Sequence, residues 1–229
     1  MPQTHPSDIR PDRAPVALFL PPTHSHRPTD LAGRPLPDWY GIHPDHVAHL
    51  IARYTRDGDT VLDTDAHPSI AAAAEHLHRR PGVAVTEGEQ PHGSLQPFDQ
   101  HTATARRGAG LVLATLPRLD VDTRDVHALS RALGAWRALL RPGGFVVVLL
   151  TAGPGTAALG HRSTVIAAAR SAGLLYHQHI PALFVPLAET EPRTESTAVA
   201  YPPLRGGRHE RAHRDLLAFA SITPEATDV

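Results

Sequence analysis

The sequence predicts an α/β domain built on a doubly wound, mostly parallel sheet with a closing antiparallel strand. Three observations carry that expectation. The apolar runs Val61-Leu62, LVLATL at 111–116 and FVVVLL at 145–150 are continuous rather than alternating, as strands covered on both faces read. Segments with a helical stripe stand between them, so strand and helix alternate along the chain. A strand at 174–185, a long return and a last apolar run at Leu216–Ala220 outline an antiparallel closing pair.

The elements follow in order. Pro44–Arg56 places Val47, Leu50, Ile51 and Tyr54 at i, i+3, i+4 and i+7, one face of a helix. Asp57-Gly58-Asp59 turns the chain, and Thr60–Asp65 reads as a short buried strand. Pro68–Arg80 is an Ala-rich helix with Pro68 in its first turn, and Val83–Thr86 a second strand. Residues 87–109 show no clear period. Leu111–Leu116 is a strand, and Thr123–Leu140 a helix with Val126, Leu129, Leu133, Trp136 and Leu140 on its stripe. Arg141-Pro142-Gly143-Gly144 stops that helix before the strand Phe145–Leu150. Ser163–Ala172 is a further helix, closed by Gly173 at the C′ position. Residues 1–38 read as a flexible Pro/His/Arg-rich arm in which Val16–Leu20 adds an edge strand or docks. The domain spans 39–220, and 221–229 is a flexible tail.

Composition narrows the chemistry. The chain has 229 residues, 22 basic against 23 acidic, and no Cys. Disulfides, thiolate zinc sites, iron–sulfur clusters and thiol catalysis are therefore excluded. Every basic residue is Arg, and Lys and Asn are absent. A net charge of -1 gives no global attraction to nucleic acid, so nucleic acid is a possible partner that charge does not support. No apolar run reaches the roughly 18 residues of a membrane span, and Met1–Arg10 lacks an apolar centre. The expectation is a cytoplasmic protein away from membranes, with room for a protein partner.

Four pieces of sequence then stand in a telling order: His43-Pro44 before a helix, Asp57-Gly58-Asp59 before Val61-Leu62-Asp63, Leu140-Arg141-Pro142-Gly143-Gly144, and Arg214–Phe219. Together they resemble the class I S-adenosylmethionine-dependent methyltransferases, most of all bacterial DNA methylases and related base-modifying RNA methyltransferases. The resemblance covers about residues 41–220 and implies a Rossmann-like methyltransferase sheet with S-adenosylmethionine as cofactor.

The resemblance also implies where the site lies. The family's D-x-x-x-G-x-G loop lets backbone approach the methionine part of the cofactor, and an acidic residue closing the second strand binds the ribose. Here the loop reads Asp63-Thr64-Asp65-Ala66-His67-Pro68-Ser69, with His67 and Ser69 where the family has glycine. A Cβ is unfavourable where the chain needs a left-handed φ or close approach. Asp63, Asp65, His67 and Ser69, with Glu87 as the ribose acid and His43 near the methionine end, are the cofactor-binding candidates. Asp63 equally reads as a cap for the next helix, and His43 as part of a local turn. Base-amino methyltransferases carry [D/N/S]-P-P-[Y/F] after the fourth strand. The matching tetrapeptide is Thr115-Leu116-Pro117-Arg118, so Thr115 and Pro117 are the catalytic candidates while the stacking ring has become Arg118.

Other patterns compete. His209-Glu210-Arg211-Ala212-His213 matches the H-E-x-x-H of zinc hydrolases, yet its flanks are charged and no further His follows. The His24/His26, His46/His49, His76/His78 and His177/His179 pairs read as solvated or core-edge residues rather than as metal ligands. Gly153-Pro154-Gly155-Thr156-Ala157-Ala158 lacks the acidic residue that a dinucleotide site needs downstream. Two functions therefore stand side by side: a methyltransferase with an unusual cofactor loop, and a non-catalytic binding or partner subunit on the same fold. A zinc hydrolase comes third.

Overall fold

The computed structural model describes residues 17–21, 27–30, 32–84, 108–118, 121–151, 161–183 and 213–222. Among these residues four helices and six strands follow one another: α1 Pro44–Tyr54, β1 Thr60–Asp63, α2 Pro68–His76, β2 Arg80–Val83, β3 Ala109–Leu116, α3 Val126–Leu139, β4 Leu140–Leu150, α4 His161–Ser171, β5 Leu174–Leu183 and β6 His213–Ser221. The strands form one sheet in the order β2-β1-β3-β4-β6-β5. β2, β1, β3 and β4 run parallel, and β6 lies antiparallel between β4 and β5. This is the doubly wound, mostly parallel α/β sheet with an antiparallel closing strand that the sequence predicts.

The continuous apolar strands are continuous because both faces are covered. Along β3, Leu111 and Leu113 pack under α1 and α2 with Val47, Leu50, Ile51 and Ile70. Val112, Ala114 and Leu116 face the other way, toward Leu129, Leu133 and Trp136 of α3 and Val165 and Ala168 of α4. Each of these side chains removes its apolar surface from water, at about 25 cal/mol per Å².

Boundaries differ from the sequence reading where a polar or backbone device outranks periodicity. α2 ends at His76 rather than Arg80, because His78 takes a left-handed φ of +58°. Arg79 N then bonds Ala74 O at 2.8 Å and His78 N bonds Glu75 O at 3.0 Å, the paired bonds of a Schellman stop. The chain thus enters β2 early, at Arg80–Val83 instead of Val83–Thr86, with Thr60 beside Arg80 and Asp63 beside Val83. α3 starts at Val126 rather than Thr123, where the Asp125 carboxylate accepts from His127 N at 2.8 Å. β4 runs through Arg141–Gly144, which the sequence reading makes a stop. A register shift between Ala109 and Leu111 absorbs it, and Gly144 has no Cβ to press on the Ala109 carbonyl, 3.0 Å from where one would stand. Gly173 takes φ +77° after α4, as its C′ position requires.

From the segment before α1, Trp39 and Ile42 are fully buried, and Leu36 and Phe19 nearly so. Ala17–Leu20 lies along the outer edge of β5, with Ala17 N to His179 O and Phe19 N to Pro181 O at 3.0 Å and Leu183 N to Phe19 O at 2.9 Å. No helix among the described residues is long and apolar enough to cross a membrane.

Candidate functional site

In a doubly wound sheet the chain leaves β1 for β2 on one side and returns to β3 on the other. The crevice between the carboxyl ends of β1 and β3 is where such folds take ligands. Five of the sequence-predicted residues converge there: Asp63 at the end of β1, Asp65, His67 and Ser69 after it, and Thr115 near the end of β3.

Asp63 closes β1 with its side chain 3% exposed. Both carboxylate oxygens serve its own loop, accepting from Asp65 N at 3.0 Å and from His67 N. Burial above all, with the neighbouring Asp65 charge and against the two backbone donors and Arg118, pushes this carboxyl up to about 6. Ala66 adopts a left-handed φ of +52°, a conformation that favours glycine. His67 then caps α2, its Nδ1 accepting from Ser69 N at 3.3 Å, and burial holds its imidazole below the ordinary range. Ser69 is completely buried, and its hydroxyl donates to the Pro37 carbonyl.

The two loops meet at Asp65. Thr115 Oγ1 donates to Asp65 Oδ2 at 2.5 Å, and Arg118 Nη1 donates to Asp65 Oδ1 at 2.5 Å and to the Thr64 carbonyl at 3.3 Å. The Arg118 and Asp65 side chains are 13% and 14% exposed. A carboxylate that would otherwise be buried alone is thereby neutralised by the residue standing where the family places a stacking ring. Beside them Tyr40, at φ +48°, sets its ring 6.0 Å from that of His67. Burial first, then Asp65 and Asp63, push its phenol up. The roles of Arg118, Tyr40 and Pro37 in this cluster are absent from the sequence reading. The opposite charges of Asp65 and Arg118, each at the carboxyl end of an expected strand, were the available signal.

The remaining candidates stand elsewhere. Pro117 follows β3 between Thr115 and Arg118 and carries no polar contact of its own. His43 is the N-cap of α1, accepting from Asp45 N at 3.3 Å, and lines a cavity of about 420 Å³ with Asp38, His46, Leu183 and Arg214. Glu87, His209, Glu210 and the 153–158 glycine segment lie outside the described residues. His213 opens a strand, with Nε2 3.5 Å from Asp215 Oδ1, where the zinc pattern calls for a helix. Among the described residues no group of three or more His, Asp or Glu side chains is placed to hold a metal ion.

These contacts engage the loop in which the resemblance places the cofactor: Asp63 accepts one bond on each oxygen from its own loop, Asp65 is held by Thr115 and Arg118, and side chains stand at positions 67 and 69. What the geometry can do is hold the two loops together.

The solved structures to which the chain is similar include S-adenosylmethionine-dependent methyltransferases. One is geranyl diphosphate C-methyltransferase from Streptomyces coelicolor A3(2), at 14% identity over 78% of this chain and 80% of that one, TM-score 0.45. Another is the N-methyltransferase NodS from Bradyrhizobium japonicum WM9, at 13% identity over 78% and 94%, TM-score 0.40. A Thermus thermophilus protein described as a DNA modification methylase shares 17% identity over 52% of this chain, TM-score 0.34. The match spans 46% of that protein's length. No family model matches the chain, and no curated protein matches it.

Proposed function

We propose that this chain is a methyltransferase-fold protein that does not methylate base amines and works instead as a non-catalytic binding or partner subunit. One observation carries the reading: the switch-point crevice is bridged by the chain's own Arg118–Asp65 pair, with Thr115 as its third member. A base-amine methyltransferase carries a polar acceptor and an aromatic ring at that spot. Here a guanidinium, ion-paired with Asp65, occupies the ring's position. The balanced net charge favours a protein partner over nucleic acid.

A second reading has one observation in its favour. The Thr64 hydroxyl in the same loop is buried with no hydrogen-bond partner among the described residues, a cost of about 1–3 kcal/mol that a ligand could relieve. In that reading the protein is an S-adenosylmethionine-dependent methyltransferase whose site opens when Arg118 leaves Asp65. Incubation with methyl-labelled S-adenosylmethionine and undermodified nucleic acid or protein extract separates the two. The non-catalytic reading expects no label in any acceptor. Label transferred by the wild type and abolished by Thr115→Val would establish the enzyme instead.

A further inference from the structure

The histidines of α1 do not belong to the crevice, and neither does the segment that crosses them. Ala17–Leu20 is held to the edge of β5 by three backbone hydrogen bonds and by one side chain, Phe19, which is 8% exposed. Phe19 sits between two imidazoles one helical turn apart. Its ring is stacked on His46 at 4.8 Å and 19°, and meets His49 edge-on at 5.6 Å and 85°. A third imidazole, His43, lies 6.3 Å from His46 on the same helix face. Leu18 and Leu20 point away from this clamp and are about half exposed. A cavity of about 510 Å³ beside the segment is lined by Ala17–Leu20, Asp45, His46, His49, Arg53 and Ile180. Another of about 420 Å³ reaches His46 from the other side.

We propose that Ala17–Leu20 is an acid-released strap: the His46 and His49 rings clamp Phe19 against the sheet, and protonation of His46 frees the strap and uncovers the edge of β5. The charged and titratable groups facing His46 come from every element around it. On α1 they are His43, Asp45, His49 and Arg53; Asp38 lies before the helix, and Arg214 on β6 lines the same cavity. β5 faces it with Ile180, Ala182 and Leu183, none titratable. Burial and the His43 charge hold the His46 imidazole below its ordinary value of 6.5, against a hydrogen bond with the Leu20 backbone and the charge of Asp45. The folded state therefore binds this proton less readily than the free chain does. The clamp's contribution is complete above about 6.5 and is lost as the pH falls below it. Release leaves His179 O, Pro181 O and Leu183 N without their partners, an open strand edge that another extended chain can pair with.

Hydrogen exchange of the full-length protein tests this through the amides of Ala17, Phe19 and Leu183, read at about pH 7.5 and about pH 5.5 and corrected for the intrinsic pH dependence. The expected result is a loss of protection at the lower pH of at most about tenfold, the ceiling for one imidazole with a free value near 6.5, while Leu113 and Val147 in the central strands stay protected. His46→Gln, which keeps a donor but does not titrate in this range, should hold protection at both pH values. Phe19→Ala should lose it at both, which keeps the test decisive if the Gln variant fails to fold. Unchanged wild-type protection, or the same loss in His46→Gln, would overturn the proposal.

Discussion

β1 is stapled at both ends by an aspartate and an arginine, and the two staples differ in what they close. At the amino end Asp59 receives Arg141 Nε at 3.2 Å and Nη2 at 2.9 Å, across the start of β3 at Gly110. A Cβ at Gly110 would stand 2.6 Å from the Asp59 carboxylate, so the pair and the glycine are made for each other. That end of a doubly wound sheet carries no ligand, and a staple there serves stability. At the carboxyl end Asp65 receives Arg118 and Thr115 across the crevice that such folds normally keep open. The same chemistry at the opposite pole closes a site. Burial separates them further: Arg118 and Asp65 are 13% and 14% exposed, Arg141 and Asp59 29% and 15%.

The largest expected effect breaks the buried staple. Arg118→Ala strands Asp65 in a dry setting and should cost about 3 kcal/mol in chemical denaturation. Asp63→Ala leaves the amides of Asp65 and His67 without an acceptor and should cost about 2 kcal/mol, less than two full bonds because water reaches part of the loop. Arg141→Ala should cost about 1 kcal/mol, since the amino-end pair is wetter. If Arg141→Ala proves the costlier of the two arginine variants, the contrast between the poles is wrong. A further test is a slope. Asp63 titrates near 6 in the folded protein, above its ordinary 3.8. The folded state thus holds this proton more tightly, and stability should fall as pH rises through about 4–6. Carboxyl NMR titration of Asp63 checks it, and a midpoint near 4 would remove that term.

How much of this was readable in the sequence depends on the kind of interaction. The strands Leu111–Leu116 and Phe145–Leu150 lie inside β3 and β4 because burial on two faces leaves an unmistakable apolar run. β2 was displaced because its residues, Arg80-Pro81-Gly82-Val83, have poor strand propensity and pair only because β1 lies beside them. The position of Asp63 at the head of the loop was legible; its oxygens accept from Asp65 N and His67 N, while the cap of α2 is His67 itself. The Asp65–Arg118 contact was not, because the partners are 53 residues apart and polar pairs leave no periodic trace. Ser69 was noted as a misplaced glycine, and only the packed segment before α1 reveals why a hydroxyl suits it: the Pro37 carbonyl needs a donor there.

Titration calorimetry of the wild-type protein with S-adenosylmethionine, carried to about millimolar ligand, tests the closed crevice most directly. A crevice closed by its own side chains predicts no saturable heat, and a one-to-one isotherm from Arg118→Ala combined with His67→Gly and Ser69→Gly if the loops alone obstruct the cofactor. A saturable one-to-one isotherm from the wild type would contradict it.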